Sequence, residues 1–221
     1  GNFLTESGQG GQVGLGFNHS GGNFQGTQLS MGVNIVERDF KGLQATVGAN
    51  VVGRESRGAL LSVGANVTAG DATGLFVAVG ANVNRKLQGV AISSINVAHG
   101  DSRGAQLGAV NVASRQLRGV QLGMVDVADD VRGAQVGMVN VGVDVKGVQV
   151  GVVNVGKTVK GTQIGLVNVG SGGESIGLLS FNSKGYNTFQ SAVTDTEALQ
   201  LGGTFGGRHV YTVIQAGFAP G

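Results

Sequence analysis

The chain contains no cysteine, no tryptophan and one proline, and its 221 residues include only nine phenylalanines and two tyrosines. The missing cysteine excludes a disulfide framework and every thiolate metal site, without selecting a compartment, since exported bacterial proteins also do without it. Charge is scarce as well: 15 basic and 13 acidic residues give a net charge of +2. That is too little to keep a chain with 41% hydrophobic residues expanded, so disorder is excluded. No run approaches the roughly 18 apolar residues of a membrane-spanning helix. The opening Gly1-Asn2-Phe3-Leu4-Thr5-Glu6 lacks the basic and apolar regions of a signal peptide, so a processed start or a fragment is expected. Scarce proline likewise excludes collagen, although glycine, at 43 residues, is the most conspicuous component. An ordered chain built from Gly, Val and Ala remains.

That chain is a repeat. A glycine followed by alternating residues recurs at Gly10, Gly26, Gly42, Gly58, Gly74, Gly89, Gly104, Gly119, Gly133, Gly147 and Gly161, at spacings that shorten from 16 through 15 to 14, with a degenerate twelfth copy around Ser175-Ile176-Gly177-Leu178. Period-two alternation within each unit predicts strand. The first, third and fifth positions after the leading glycine are apolar or small, which predicts core columns containing Val47, Val63, Val79, Met124, Met138 and Val152. The second position is usually Gln, so Gln106, Gln121, Gln135, Gln149 and Gln163 are expected on a flat, uncharged outer face. An extra glycine in the longer units (Gly16, Gly32, Gly48, Gly64, Gly80) reads as a corner or bulge. In the short units Met138-Val139 and Val152-Val153 break the alternation, which suggests a corner with both residues inward.

Two further columns follow. Asn18, Asn34, Asn50, Asn66, Asn82, Asn96, Asn111, Asn140, Asn154 and Asn168 occupy one position, with Asp126 as its substitute; strands stacked about 4.8 Å apart would let these amides form a ladder. Ahead of the leading glycine stands a charge, apolar, charge triplet, as in Asp39-Phe40-Lys41, Asp130-Val131-Arg132 and Asp144-Val145-Lys146. Both charges are expected outside and the middle residue inside. Acidic and basic columns side by side read as a solvated edge, and without interleaved aromatics the basic stripe is no track for nucleic acid.

The fold class expected is all-β, a parallel β-solenoid of about 12 coils of 14–16 residues with a C-terminal antiparallel β cap. The alternative is a transmembrane β-barrel segment, with apolar residues toward lipid and Gln and Gly toward the lumen. Near-constant connection lengths, and the lack of any aromatic residue between Phe76 and Phe181, favour the solenoid. Segments 1–9, 10–182 and 183–221 read as an N-terminal cap or frayed end, the solenoid, and a hairpin cap or a junction to a further domain. The hairpin is expected from the alternation in Leu199–Gly203 and Val210–Ala216 around Gly206-Gly207.

The clearest units, such as Gly119-Val-Gln-Leu-Gly-Met-Val-Asp-Val127 and Gly147-Val-Gln-Val-Gly-Val-Val-Asn-Val155, with their Lys-Gly or Arg-Gly junctions, resemble the short repeats of bacterial surface-repeat proteins of the spirochaete type. The likeness is strongest from Gly104 to Asn168. It implies an exported protein of the cell envelope or surface, and no catalytic residues to transfer.

No catalytic constellation emerges from the residues. His19, His99 and His209 lie on different repeats or outside them, too few for a metal site or a triad. Asp126 and Asp130 belong to structural columns, which leaves Asp129 without the second carboxylate of a glycosidase. The expectation is a non-enzymatic structural or adhesive element without cofactor or metal, the alternative being an outer-membrane barrel or pore segment. Self-association or a surface glycan along the Gln face are the candidate partners, with membrane association through an anchor or domain outside the sequence and no nucleic acid.

Overall fold

A computed structural model describes residues 1–193 and 199–218, and all of their regular structure is strand. The chain divides into two compact units, Gly1–Asp129 and Asp130–Gly221.

The first unit carries the eight leading glycines from Gly10 to Gly119. Each strand pairs in parallel with the equivalent strand one repeat on: Gly10 opposes Gly26, Gly26 opposes Gly42, Asn18 opposes Asn34, and Asn96 opposes Asn111. Parallel pairing at one repeat period makes every repeat one coil of a β-solenoid. The second unit continues the pattern: Gln135, Gln149, Gln163 and Ser175 stand opposite one another in turn, as do Asn140, Asn154, Asn168 and Ser180. The twelve coils expected are thus found as eight and four, and the barrel alternative, which needs antiparallel neighbours, does not hold for the repeats.

The second unit also contains a separate antiparallel sheet of Tyr186–Ala192, Leu199–Gly206 and Tyr211–Phe218. The expected hairpin is its last two strands. Tyr186–Ala192 is a third strand that the alternation around Gly206 does not signal. Within the 183–221 segment, residues 194–198 and 219–221 lie outside the described residues.

From Gly26 to Gly119 the leading glycine is required twice over. Gly42 has φ 139°, and a Cβ placed there would collide with the carbonyl oxygen of Gly26 in the preceding coil. The coil turns at this point while its backbone lies directly on the turn below, which leaves room for hydrogen alone. The period shortens at the corner and at the charged junction. The extra corner glycine is lost from the coils after Gly80; a register shift between Asn84 and Lys86, where Arg85 stands opposite the Ala69-Gly70 segment, removes a junction residue from that coil, and the coils from Gly119 onward lose one again, first between Asp126 and Gly133.

Side-chain direction reverses the expected core. Val47, Val63, Val79, Met124, Met138 and Val152 are all exposed, Val47 at 54% and Met124 at 56%. The residues of opposite parity are buried: Phe40, Gln44 and Thr46 in one coil, Leu117 and Gln121 in another. The alternation simply continues through the leading glycine. Val145 points inward, as the charge triplet requires, and Gly147, Gln149 and Gly151 then share its side of the chain. The phase does change at Met138-Val139, since Gln135 and Asn140, five residues apart, are both buried, but the two corner residues do not point inward: Met138 is exposed and Val139 half-buried. Four inward columns result: an apolar one (Phe24, Phe40, Leu87, Leu117, and Val131, Val145, Val159 in the second unit), the Gln column, the Asn column, and a small-to-medium one (Ser20, Val36, Val52, Thr68, Ala98).

Where Gln is interrupted, volume is exchanged between columns. Ser56 accompanies Leu60, Ala72 accompanies Phe76, and Leu87 accompanies Ala91, all buried. Leu60, Ala72, Phe76, Leu87 and Ala91 form one hydrophobic cluster with Phe24, Phe40, Val36, Val52 and Ala98.

Candidate functional site

The five glutamines expected on an outer face, Gln106, Gln121, Gln135, Gln149 and Gln163, are completely buried. They are ladder members rather than a binding surface. Gln121 Nε2 donates to Gln106 Oε1 at 2.8 Å and to the Val127 carbonyl at 3.2 Å. In the second unit Gln149 donates to Gln135 and Gln163 to Gln149, both at 2.8 Å, while their second N–H groups reach Val155 and Val169 carbonyls at 3.3 Å. Both amide donors are satisfied inside, so nothing remains to offer a glycan. The ladder leaves an acceptor idle where the next residue of its column is not Gln: Gln44 Oε1, followed by Leu60, and Gln163 Oε1, followed by Ser175, have no partner.

The asparagine ladder is as expected. In the first unit Asn2, Asn18, Asn34, Asn50, Asn66, Asn82, Asn96 and Asn111 each donate from Nδ2 to the side-chain oxygen of the next member, at 2.7 to 3.0 Å, ending on Asp126. Each also braces a backbone carbonyl of the following coil, as Asn50 does with Leu61 at 2.8 Å. In the second unit Asn140 donates to Asn154 and Asn154 to Asn168, both at 2.8 Å, and Asn168 reaches Ser180 Oγ at 3.2 Å.

With amides inside, the aliphatic residues coat the outside. In the first unit they form two flat sides that meet at a ridge. One side carries Leu29, Leu61, Val77 and Ile92, the other Ile35, Val51, Val67 and Val83, and Leu15, Met31, Val47, Val63 and Val79 form the ridge, where Leu15 is 84% exposed. An apolar groove of about 530 Å³ lies along it, lined by Val13, Leu15, Leu29, Met31, Ala45 and Val47. The second unit has an exposed corner column of its own, Met138, Val152, Leu166 and Leu178. Between Gly10 and Asp129 every Asp, Glu, Lys and Arg except the buried Asp126 falls in the junction segment, so charge is confined to one edge. There Arg57 pairs with Glu55 at 2.8 Å, and Arg85 and Lys86 pair with Asp71 at 2.9 and 3.8 Å. In the second unit Arg132 and Lys146 share Asp130 at 3.0 and 3.6 Å. Exposed pairs of this kind contribute little stability. A groove of about 600 Å³ crosses the edge over the stacked rings of Phe24 and Phe40, lined by Gln25, Asp39, Lys41, Glu55 and Arg57.

The remaining polar candidates stay apart. His19 contacts Glu37 at 3.2 Å and stacks on Phe3, and His99 is exposed in the junction. His209 meets Glu174 at 2.7 Å in the second unit. That hydrogen bond holds the Glu174 carboxyl below its ordinary range. Asp126 is buried while Asp129 is exposed. Among the described residues no group of three or more His, Asp or Glu is placed to hold a metal ion. The three-stranded sheet packs on the last coil through Phe181 against Phe205, with ring centroids 5.8 Å apart, and through Thr212, which donates to the Gly177 carbonyl.

Sequence reasoning found the Asn ladder and the charged edge, and missed the Gln ladder and the aliphatic exterior. The signal that identifies both was present, since Val145 inward and Gln149 inward are one parity. No protein-family model, curated protein or solved structure matches the chain.

Proposed function

We propose that the chain is a non-catalytic structural and adhesive element of a bacterial cell envelope or surface, a stiff repeat whose outer faces, rather than any pocket, do the work. The aliphatic exterior carries this reading. A soluble monomer rarely exposes apolar patches larger than a few hundred Å². Here exposed Val, Leu and Met recur coil after coil while the amides that could have faced water fill the interior. Such a molecule has equivalent binding positions along its length and no unique cleft, the arrangement of a scaffold. Likeness of the Gly104–Asn168 repeats to spirochaete-type surface-repeat proteins supports membership of that family and the envelope location.

Cell fractionation combined with protease shaving of intact bacteria tests the location. An epitope placed in the junction at the exposed His99 should be found with the envelope and be cleaved from outside. Recovery of the tagged protein from the cytosol, protected in intact cells and released only on lysis, would refute it.

A further inference from the structure

We infer that the flat side running from the leading glycines to the ridge, the side of Leu29, Leu61, Val77, Ile92, Leu107 and Leu122, is a self-association surface whose occupant is the same side of a second copy of this chain. The inference uses the scaffold reading only in taking this side to be free.

Area is the first argument. Each coil contributes about five residues at roughly 3.3 Å rise, and coils stack about 4.8 Å apart. The eight coils of the first unit therefore present about 600 Å² on this side, and two copies about 1,200 Å², the lower bound for a specific stable interface. Side chains standing from the sheet make the accessible area larger than this projection.

Shape and chemistry choose the occupant. Leu29, Ile92 and Leu122 are each 37 to 40% exposed, for each stacks on its neighbours and keeps its outer surface free. A second copy offers the same columns at the same spacing, so one sheet can lie on the other about 10 Å away as in a β-sandwich, with identical patches meeting about a two-fold axis. A lipid surface fits less well. Interfacial binders use basic residues and Trp or Tyr at the headgroup level. The chain has no Trp, both tyrosines lie outside the first unit, and the basic residues of the junction edge alternate with acidic ones. The opposite side is less suited over its middle coils, where the column that runs from Val33 to Ile95 is Ala49, Ala65 and Ala81 and offers little apolar bulk to a partner.

Sedimentation equilibrium of the whole chain without detergent tests this, with Leu29→Lys/Leu61→Lys/Ile92→Lys as the variant and Val51→Lys/Val83→Lys/Val112→Lys, on the opposite side, as control. Alternate coils are chosen so that the new charges do not stack. The unaltered chain and the control should be dimers at about 10 µM, and the variant should bind itself at least 100-fold more weakly with an unchanged far-ultraviolet spectrum. Because the chain has no Cys, single substitutions give a second reading that does not depend on tolerance of Lys. A short bis-maleimide should join copies through at least one of Leu29→Cys, Leu61→Cys and Ile92→Cys, and not through Val67→Cys. A monomeric unaltered chain at 100 µM overturns the proposal, as does dissociation by the control alone. Flotation of a monomeric chain with phosphatidylcholine vesicles would overturn it in favour of lipid. None of these results bears on where the protein resides in the cell, so the scaffold reading stands or falls separately.

Discussion

Gln149 and Asn154, five residues apart in one coil, pass their amide protons in opposite directions. Gln149 Nε2 donates 2.8 Å to Gln135 in the coil before, and Asn154 Nδ2 donates 2.8 Å to Asn168 in the coil after. The same opposition holds in the first unit, where Gln28 donates to Gln12 and Asn18 to Asn34. Two rows of aligned amide dipoles thus run antiparallel through one interior, so their end charges offset each other. A core that is half amide is satisfied internally: Gln149 and Gln163, like Asn140 and Asn154, donate twice, once along the ladder and once to the backbone.

A ladder of this kind makes the cost of a substitution depend on its position. Gln149→Leu leaves two newly orphaned groups, an N–H of Gln163 and Oε1 of Gln135, and should cost about 2 to 4 kcal/mol. Gln163→Leu orphans only Gln149 Oε1 on the ladder and removes an acceptor that already lacks a partner, so about 1 to 2 kcal/mol is expected. Urea unfolding of both variants checks the order; equal midpoints would show that the amides act independently.

The leading glycines should tolerate nothing larger. Gly42→Ala meets both a φ of 139° and the Gly26 carbonyl, and about 3 kcal/mol or more should be lost. Gly11→Ala, whose Cβ would have no atom within 4 Å, should fall within about 0.5 kcal/mol of the parent. Thermal unfolding of the pair separates steric need from mere abundance of glycine.

Much of this was legible in advance. Identical residues at one period, Asn18 to Asn168 above all, announce parallel stacking, and Asp-Val-Lys around Val145 announces an edge with one inward residue. The inside of the coil is less legible because hydrophobicity and phase disagree: Leu43 and Ala45 have the composition of a core, although an unbroken strand from the inward Phe40 sends Gln44 inward. In most domains hydrophobicity decides, since buried Gln is costly. Here stacked copies satisfy it. The strand Tyr186–Ala192 was hidden for another reason, as Tyr-Asn-Thr-Phe-Gln-Ser-Ala has no strict apolar alternation and is exposed along its length.

Acid should loosen the contact between the last coil and the three-stranded sheet. The Glu174 carboxyl is held below its ordinary range chiefly by the hydrogen bond to His209. A carboxyl with a depressed folded pKa adds stability that is fully present above its unfolded value, and loses it as pH falls through the lower folded one. Amide exchange across Tyr211–Phe218 should therefore quicken, beyond its intrinsic pH dependence, as pH drops below the ordinary Glu range. Glu174→Gln should flatten that response; an unaltered response would place the acid-sensitive group elsewhere.

Asp126 is the one carboxylate in the Asn column, wholly buried, accepting from Asn111 at 2.8 Å. Ionised, it has no proton to donate, whereas Asn at this position would keep Oδ1 for Asn111 and supply two N–H groups. Burial of a charge in a narrow coil is costly, so Asp126→Asn should raise stability by about 1 kcal/mol or more. Asp126→Ala should lower it, by withdrawing the acceptor from Asn111. The opposite signs of the two variants in urea unfolding carry the argument, because a packing defect alone would move both the same way. A loss of stability on Asp126→Asn would mean that the carboxylate is there for its charge.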